Sequence, residues 1–297
     1  MTRIIFLACH NTLTDAPQRR PDAFEHDYQL AALQEGLAAH DLKAEELDWR
    51  APIEDFAGAD AILLGTAWDY QDHAAEFAQR LEALEEAGAA VFNPATVVRW
   101  NMDKGYLREL AERGVPTIPT HWADNAGPDD LAAAFEDFET DRIVVKRRIG
   151  AGGEGQSLIH KADPAAHDFT MDRPALIQPF LPSIAEEGEY SFIFIDGVLS
   201  HTLVKRAAAG DYRIQSSYGG TESVASPNDA DAESAEKVVN ALPFHPPLYA
   251  RIDMVRGEDG GLFLMEAELI EPYLFPVQGP ELGPRLADAI VRRLEKA

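Results

Sequence analysis

Basic residues are scarce in this chain. Twenty-six Lys and Arg stand against 51 Asp and Glu, a formal net charge of −25. Such a surface repels phosphate backbones and argues against non-specific binding of DNA or RNA. Cysteine is scarcer still: Cys9 stands alone, which excludes an internal disulfide and fits a reducing cytoplasm, the compartment expected here. Lying in an apolar stretch, it reads as a small buried residue and not as a nucleophile. No run of apolar residues is long enough to cross a bilayer, so no membrane partner is expected. The opening "MTRIIFLACHNTLTD" reads as a first core strand and lacks the features of a secretory signal. The nine histidines show no H-E-x-x-H or similar ligand spacing. No convincing Ser-His-Asp or Cys-His arrangement is present either.

What is present is a folded chain of 297 residues, 46% apolar and 26% charged, long enough for two or three compact units. In its first third, short apolar runs ("RIIFLAC", "ADAILLG", "AVFNP") alternate with helical stretches ("FEHDYQLAALQEGLAAH", "HAAEFAQRLEALEEAG"). That alternation predicts a small parallel α/β domain, whose ligands meet the carboxyl ends of the strands. "TAWDY", Thr66–Tyr70, falls at one such end. It reads either as an aromatic cap on the core or as a substrate-facing loop.

Further along, Asn101 or Asp103 is placed to cap a helix that carries Lys104 in its first turn and stops at Gly114. Pro116 and Pro119 flank a short strand, and "GPDDLAAAFEDF" is a helix opened by Pro128. The last third is richer in strands. "EYSFIFIDGVLSHTLVKR" is a hairpin turning at Asp196-Gly197. "LYARIDMVRGEDGGLFLMEAEL" is a second hairpin, and "PELGPRLADAIVRRLEKA" is a closing helix.

Between these parts lies "KRRIGAGGEG", Lys146–Gly155, in which Gly150, Gly152 and Gly155 match G-x-G-x-x-G. A dinucleotide loop needs a strand before it and a helix N-terminus after it. The strand "DRIVVK" is there, but "QSLIHKADP" follows and reads as another strand. No Gly-Lys-Ser/Thr follows either, which removes the Walker A loop. What remains is a hairpin with a glycine tip able to lie over a ligand. Lys146, Arg147, Arg148, Lys205, Arg206 and Arg213 cluster in the middle of this acidic chain, where an anionic ligand would go.

The last hairpin carries the counterpart. Glu266 and Glu268 are two apart on one strand and project to the same side. Asp253 lies on the partner strand, within reach across the pair. Three carboxylates on one face repel one another unless a cation neutralises them, and an all-oxygen set suits Mg²⁺ or Mn²⁺. The plainer reading is a solvated acidic face, which the interleaved Leu262, Phe263, Leu264, Met265 and Ala267 argue against.

Taken in order, Lys104, Lys146 and its glycine hairpin, "LIQPFL", Glu189, Arg206, Arg213, Asp253 and Glu266-Ala-Glu268 resemble an ATP-grasp ligase. That superfamily includes glutathione synthetase and D-alanine–D-alanine ligase. "TAWDY", "EGEYSFIFIDG", "YARID" and "EAELIEP" are similar to the branch containing the O-ureido-serine cyclo-ligase of cycloserine biosynthesis. The likeness runs from roughly Asn93 onward; the first third matches only in its α/β character and the "WDY" stretch.

The resemblance implies an α/β (α+β) ATP-grasp fold in three parts: an N-terminal parallel α/β substrate-side domain over residues 1–98, a central lid subdomain over 99–177 and a C-terminal antiparallel catalytic subdomain over 178–297. It implies ATP and Mg²⁺, or Mn²⁺. Lys104 and Lys146 would hold the α- and β-phosphates, and Gly152, Gly153 and Gly155 would let the lid's backbone approach the triphosphate. Gln178, Phe180 and Leu181 would receive adenine, with Val145 and Leu264 as walls. Glu189 would bind ribose, and Asp253, Glu266 and Glu268 would bridge the metal to the β- and γ-phosphates. The family often has Asn where this chain has Glu268, which leaves the ion count open. Arg206 and Arg213 would stabilise transferring charge. Lys205 and Arg206 face opposite ways along a strand, and Arg206 is the one favoured. Trp68, Asp69 and Tyr70 would meet the substrate.

The implied activity is ATP-dependent joining of a carboxylate to an amine, or ring closure within one small amino-acid-like molecule, through an acyl phosphate. The partners are then small-molecule carboxylates and amines, and relatives imply a homo-oligomer, dimer or tetramer. A silent nucleotide-binding protein and a kinase-like phosphoryl transferase are the alternatives.

Overall fold

The computed structural model describes residues 2–150, 155–208 and 219–296. Its first unit comprises β1 (Ile4–Ala8), α1 (Phe24–Ala38), β2 (Ala44–Asp48), β3 (Ala61–Thr66), α2 (Ala74–Glu86) and β4 (Ala90–Phe92). The strands form one parallel sheet in the order β2-β1-β3-β4. Every residue of β1 and β3 is buried, as expected of central parallel strands covered on both faces. The edge strand β2, "AEELD", is mostly polar, and sequence patterning gave no sign of it.

Next come α3 (Ala95–Asn101) and α4 (Tyr106–Glu112), two short helices where one was expected. Lys104 lies in the turn between them. A four-stranded antiparallel sheet follows, built from β5 (His121–Ala123), β6 (Arg142–Arg147), β7 (Ser157–His160) and β8 (Ala175–Pro179) in the order β5-β8-β6-β7. Helix α5 (Pro128–Asp137) packs on it. This sheet has a core of its own, including Phe135, Ile143, Val145, Ile159 and Ile177. The strand expected between Pro116 and Pro119 reduces to a single bridge from Thr117 to Leu264.

The largest sheet is antiparallel, ordered β11-β10-β9-β12-β13. Its strands are β9 (Glu189–Ile195), β10 (Val198–Arg206), β11 (Thr221–Val224), β12 (Tyr249–Arg256) and β13 (Leu262–Glu268). The short α6 (Ser183–Glu186) precedes them, α7 (Asp229–Asn240) joins β11 to β12, and α8 (Leu282–Leu294) ends the fold. Asp196 and Gly197 both adopt positive φ, 53° and 79°, the requirement of the tight hairpin their sequence announced. Val97, Tyr106, Leu107 and Leu110 of α3 and α4 join Phe192, Phe194, Ile252 and Met254 in one cluster. The segment expected to open the lid therefore packs on the five-stranded sheet.

The outer edge of β13 is covered. Asn101 donates to Ala267 O at 2.7 Å and accepts from Leu269 N at 2.9 Å, Tyr106 Oη accepts from Ala267 N at 2.9 Å, and Leu264 N donates to Pro116 O at 2.8 Å. An edge strand that carries functional side chains is thus fixed in place and closed to further pairing. Asn93 does the same one layer down, bonding Leu248 N, Tyr249 O and Leu269 O at 2.7–3.0 Å.

Helix α8 returns to pack on α1 of the first unit. A Cβ at Gly36 would stand 2.1 Å from Gly283 O, and one at Gly283 would stand 2.0 Å from Ala32 O. The two backbones touch where only glycine fits. Gly283→Ala is therefore expected to lower stability by about 1–3 kcal/mol through overpacking, measurable as a shifted urea midpoint.

Candidate active site

Alternation along the five-stranded sheet sorts its residues onto two faces. One buries Phe192, Phe194, Ile252 and Met254. The other is charged yet also buried. Lys205 on β10 stands opposite Glu189 on β9 and Glu222 on β11, and Asp253 on β12 stands between Ser191 on β9 and Glu266 on β13. Arg251 stands opposite Glu268.

Buried charges persist only when paired, and these are. Lys205 ion-pairs with Glu189 and reaches Asp253 Oδ2 at 3.3 Å. Arg251 contacts Asp253 Oδ2 at 3.0 Å, pairs with Glu268 and donates to Tyr273 O at 3.1 Å. Ser191 Oγ donates to Asp253. Burial works to raise the Asp253 carboxyl, but Arg251 and Lys205 hold it below its ordinary value. Glu189 and Glu268 are pushed up to about 7 by burial, against the pull of Lys205 and Arg251 respectively.

A bulge sets which residues of β13 face this cluster. Asp253 pairs with Glu266 while Met254 pairs with Leu264, so Met265 is the extra residue. Leu264 consequently lies in the apolar cluster with Met254, on the side away from Glu266, although simple alternation would put it beside that carboxylate.

Two lysines reach the same place, Lys104 from the turn between α3 and α4 and Lys146 from the central antiparallel sheet. Lys104 Nζ stands 2.8 Å from Glu266 Oε1 and donates to Gly150 O. Lys146, on β6, is partly buried. Burial lowers its pKa, Glu266 resists and Lys104 adds to the drop. Among the described residues its ammonium has no ion-pair partner. Gly155 holds φ +67°, where a side chain is strained, and a Cβ there would displace the Arg147 side chain, 2.1 Å from its Nε. Gly152, Gly153 and Arg213 lie outside the described residues.

On β8, Gln178 is buried and donates to Thr120 Oγ1 at 3.0 Å. The guanidinium of Arg142 stacks 4.4 Å from the Phe180 ring, Leu181 is half-buried and Val145 belongs to the lid core. Of the two adjacent basic residues at the end of β10, the structure turns Lys205 into the charged cluster. Arg206, the one favoured from sequence, is exposed and bonds Ser223 Oγ at 3.2 Å. Strand parity separates the pair as expected, but the carboxylates lie on the Lys205 side. Arg251 was passed over entirely, although its place two residues before Asp253 signals a shared face.

In the first unit, Trp68 Nε1 donates to Glu271 O at 3.1 Å beneath the Arg20 guanidinium, 4.8 Å from the ring. Asp69 accepts from Trp49 Nε1 at 2.7 Å and pairs with Arg50. Tyr70 is buried against Phe77, ring centroids 5.2 Å apart. Buried His26 links this loop to its sheet, with Nδ1 2.6 Å from Thr66 Oγ1 and Nε2 2.8 Å from Glu46.

Among the described residues no group of three or more Asp, Glu, His or Cys side chains converges as a metal centre. Asp253, Glu266 and Glu268 are neighbours in register, yet each is held by Arg251, Lys205 or Lys104.

Residues 4–93 match the family model "D-cycloserine synthetase DcsG, N-terminal domain". The cycloserine biosynthesis protein DcsG of Streptomyces lavendulae is 29% identical, over 91% of this chain and 95% of its own. The crystal structure of D-cycloserine synthetase DcsG superposes with a TM-score of 0.83 at 24% identity, covering 98% of this chain and 99% of that one. An ATP complex of the D-alanine–D-alanine ligase from Bacillus anthracis superposes at 0.67 and 16% identity, covering 100% and 98%. In sequence and in fold the chain is similar to the ATP-grasp ligases. The expected mixed α/β ATP-grasp architecture, parallel at its N-terminal sheet and antiparallel at its C-terminal one, is found, and the central sheet is antiparallel as well. Among its described residues no helix is long and apolar enough to cross a membrane.

Two substitutions and one pH profile test these buried charges. Lys205→Met strands Glu189 and Asp253 without their shared cation and should cost about 3–5 kcal/mol; Arg206→Ala should stay within about 0.5 kcal/mol. Chemical denaturation compares the two. Burial keeps the His26 pKa below the ordinary 6.5 despite the pull of Glu46. The unfolded chain therefore takes up a proton that the fold refuses, and this contribution to stability is present above pH 6.5 and lost as pH falls below it. His26→Gln should flatten that part of the pH dependence, read from urea midpoints across the same range.

Proposed function

We propose that this ligase activates a carboxylate of a small amino-acid-like molecule with ATP and closes a ring onto a nitrogen of the same molecule. The observation that carries this reading is the meeting of opposite charges between two sheets. Lys104, from the turn between α3 and α4, stands against Glu266, Lys146 on β6 lies within electrostatic reach of the same carboxylate and has no ion-pair partner among the described residues, and Asp253 and Glu266 stand opposite each other on the five-stranded sheet. Two lysines suit a polyphosphate, since each is a point charge with several donors. Kinship with the DcsG protein, whose name specifies cycloserine biosynthesis, supports the ring-closing form.

The donor set fits Mg²⁺. Asp253, Glu266 and Glu268 offer only oxygen, and hard cations of this size take one or two carboxylates together with phosphate oxygens. When bound, the ion would neutralise the β- and γ-phosphates. The chain's own residues would do the rest. Lys104 and Lys146 hold the phosphates, Gln178, Phe180 and Leu181 receive the base, and Glu189 accepts from ribose hydroxyls. A carboxylate oxygen of the substrate attacks the γ-phosphorus as the bond to ADP breaks, giving an acyl phosphate. The nitrogen then attacks the acyl carbon, phosphate leaves, and the nitrogen's proton passes to solvent. Lys205 and Arg251, with Arg213, offer positive charge to both steps, and no side-chain nucleophile is required.

The test is ADP release over a panel of amino acids that includes O-ureido-serine, with products followed by mass spectrometry. ADP with a cyclised product supports the proposal; ADP without a new C–N bond would identify a kinase-like enzyme, and silence throughout a nucleotide binder. Glu266→Gln should lower turnover by about a hundredfold or more while the melting profile stays that of the parent. Full turnover in that variant would remove Glu266 from the metal set.

A further inference from the structure

The segment that follows β13, residues 269–275, curls back over the charged face, and its backbone is pinned almost residue by residue. Ile270 O lies 2.8 Å from Tyr249 Oη, Glu271 O accepts from Trp68 Nε1, and Tyr273 O accepts from Arg251. Leu274 N donates to Gln29 Oε1 at 2.7 Å, and Leu274 O meets His201 Nε2 at 3.0 Å. Phe275 lies over both central cations, its ring centroid 5.7 Å from Arg251 and 5.9 Å from Lys205.

Against this thorough anchoring one group stands out. The Glu271 side chain is 9% exposed, and among the described residues its carboxyl has neither an ion-pair partner nor a hydrogen bond. Tyr70, 7% exposed, likewise has a hydroxyl with no partner among the described residues. The two sense each other electrostatically, and Glu271 also senses Glu268, Glu266, Arg251 and Lys104. Burial, reinforced by Glu268 and Glu266, raises the Glu271 carboxyl well above its ordinary range.

The residue is mostly buried, yet its carboxyl oxygens keep access to solvent, so a cationic or donating group can reach them from outside the fold. Its position narrows what that is. The Glu271 carboxyl lies within electrostatic reach of Glu266, Glu268, Arg251 and Lys104 and of Tyr70 in the first unit's loop, while Trp68 of that loop bonds the Glu271 backbone oxygen. A substrate whose carboxylate is directed to the phosphate side would present its next substituent here. In an α-amino acid that substituent is an ammonium group, one carbon away from the carboxylate.

We propose that Glu271, assisted by the Tyr70 hydroxyl, is the receptor for the substrate's α-ammonium group and selects amino acids over plain carboxylic acids. This rests on the function proposed above. It assigns Glu271 a specificity role distinct from the metal and nucleotide residues. The pinned backbone fixes the carboxyl in place before substrate arrives, which cuts the ordering cost of binding.

The experiment compares O-ureido-serine with its des-amino counterpart, 3-(ureidooxy)propanoic acid, by ADP release in the parent, Glu271→Gln and Glu271→Asp. The parent should favour the amine-bearing compound in kcat/KM. Glu271→Gln should reduce that preference by about thirtyfold or more, the effect of removing one partner of a buried charge pair, mainly through KM. Glu271→Asp, which keeps a carboxyl group at this position, should restore part of it. Calorimetry with Mg·ATP should give the parent's affinity in both variants, showing that the nucleotide site is intact. A parent that uses both compounds equally, or variants that lose both in parallel, would overturn the inference and leave the ligase reading standing. A parent silent on both compounds and on the wider amino-acid panel would overturn the function reading and this inference together.

Discussion

The site depends on a small number of cations buried against a larger number of acids. Arg251 and Lys205 sit between Asp253, Glu268 and Glu189 on one face of an antiparallel sheet whose other face is hydrocarbon. Removing either cation would leave carboxylates in a medium that cannot solvate them, and the cost of that exceeds what most surface ion pairs contribute. The geometry of the acids is therefore set before any ligand arrives. Overall acidity and local chemistry are separate matters: the surface carries the excess negative charge, while the interior of the site is close to balance.

Three sheets converge on this face for different reasons. The parallel sheet supplies a loop at its carboxyl ends, with Trp68 reaching across to the segment after β13. The central antiparallel sheet supplies Lys146 from the end of a strand. The large sheet supplies the acids and has its outer edge closed by Asn101, Tyr106 and Pro116. Positioning thus comes from backbone hydrogen bonds made by neutral amides and a phenol, which leaves the charged groups free of structural duty at that edge.

Much of this was legible in the sequence. The continuous apolar runs of β1 and β3, the Asp-Gly turn and the i, i+2 spacing of Glu266 and Glu268 each follow from period and turn chemistry. What was not legible has identifiable physical causes. The edge strand β2 is polar because half of it is solvated, so no pattern marks it. The placement of Leu264 turns on a bulge at Met265, which reverses parity without any glycine or proline to signal it. Lys205 and Arg206 were separable by parity but not assignable, because only tertiary pairing says which side holds Glu189 and Asp253. Arg251 was hidden by the acids around it, since attention to carboxylates alone overlooks the cation that makes them tolerable.

The glycine contact between α1 and α8 bears on how the polypeptide reaches this state. Leu282, Leu286, Ala287 and Ile290 of α8 share one apolar cluster with Ile4, Ile5, Leu33 and Leu37. During synthesis the first unit emerges long before α8 does, and domains ordinarily consolidate in that order. The groove beside Gly36 closes only once α8 has been made, so the contact between these two helices joins parts of the chain synthesised far apart in time.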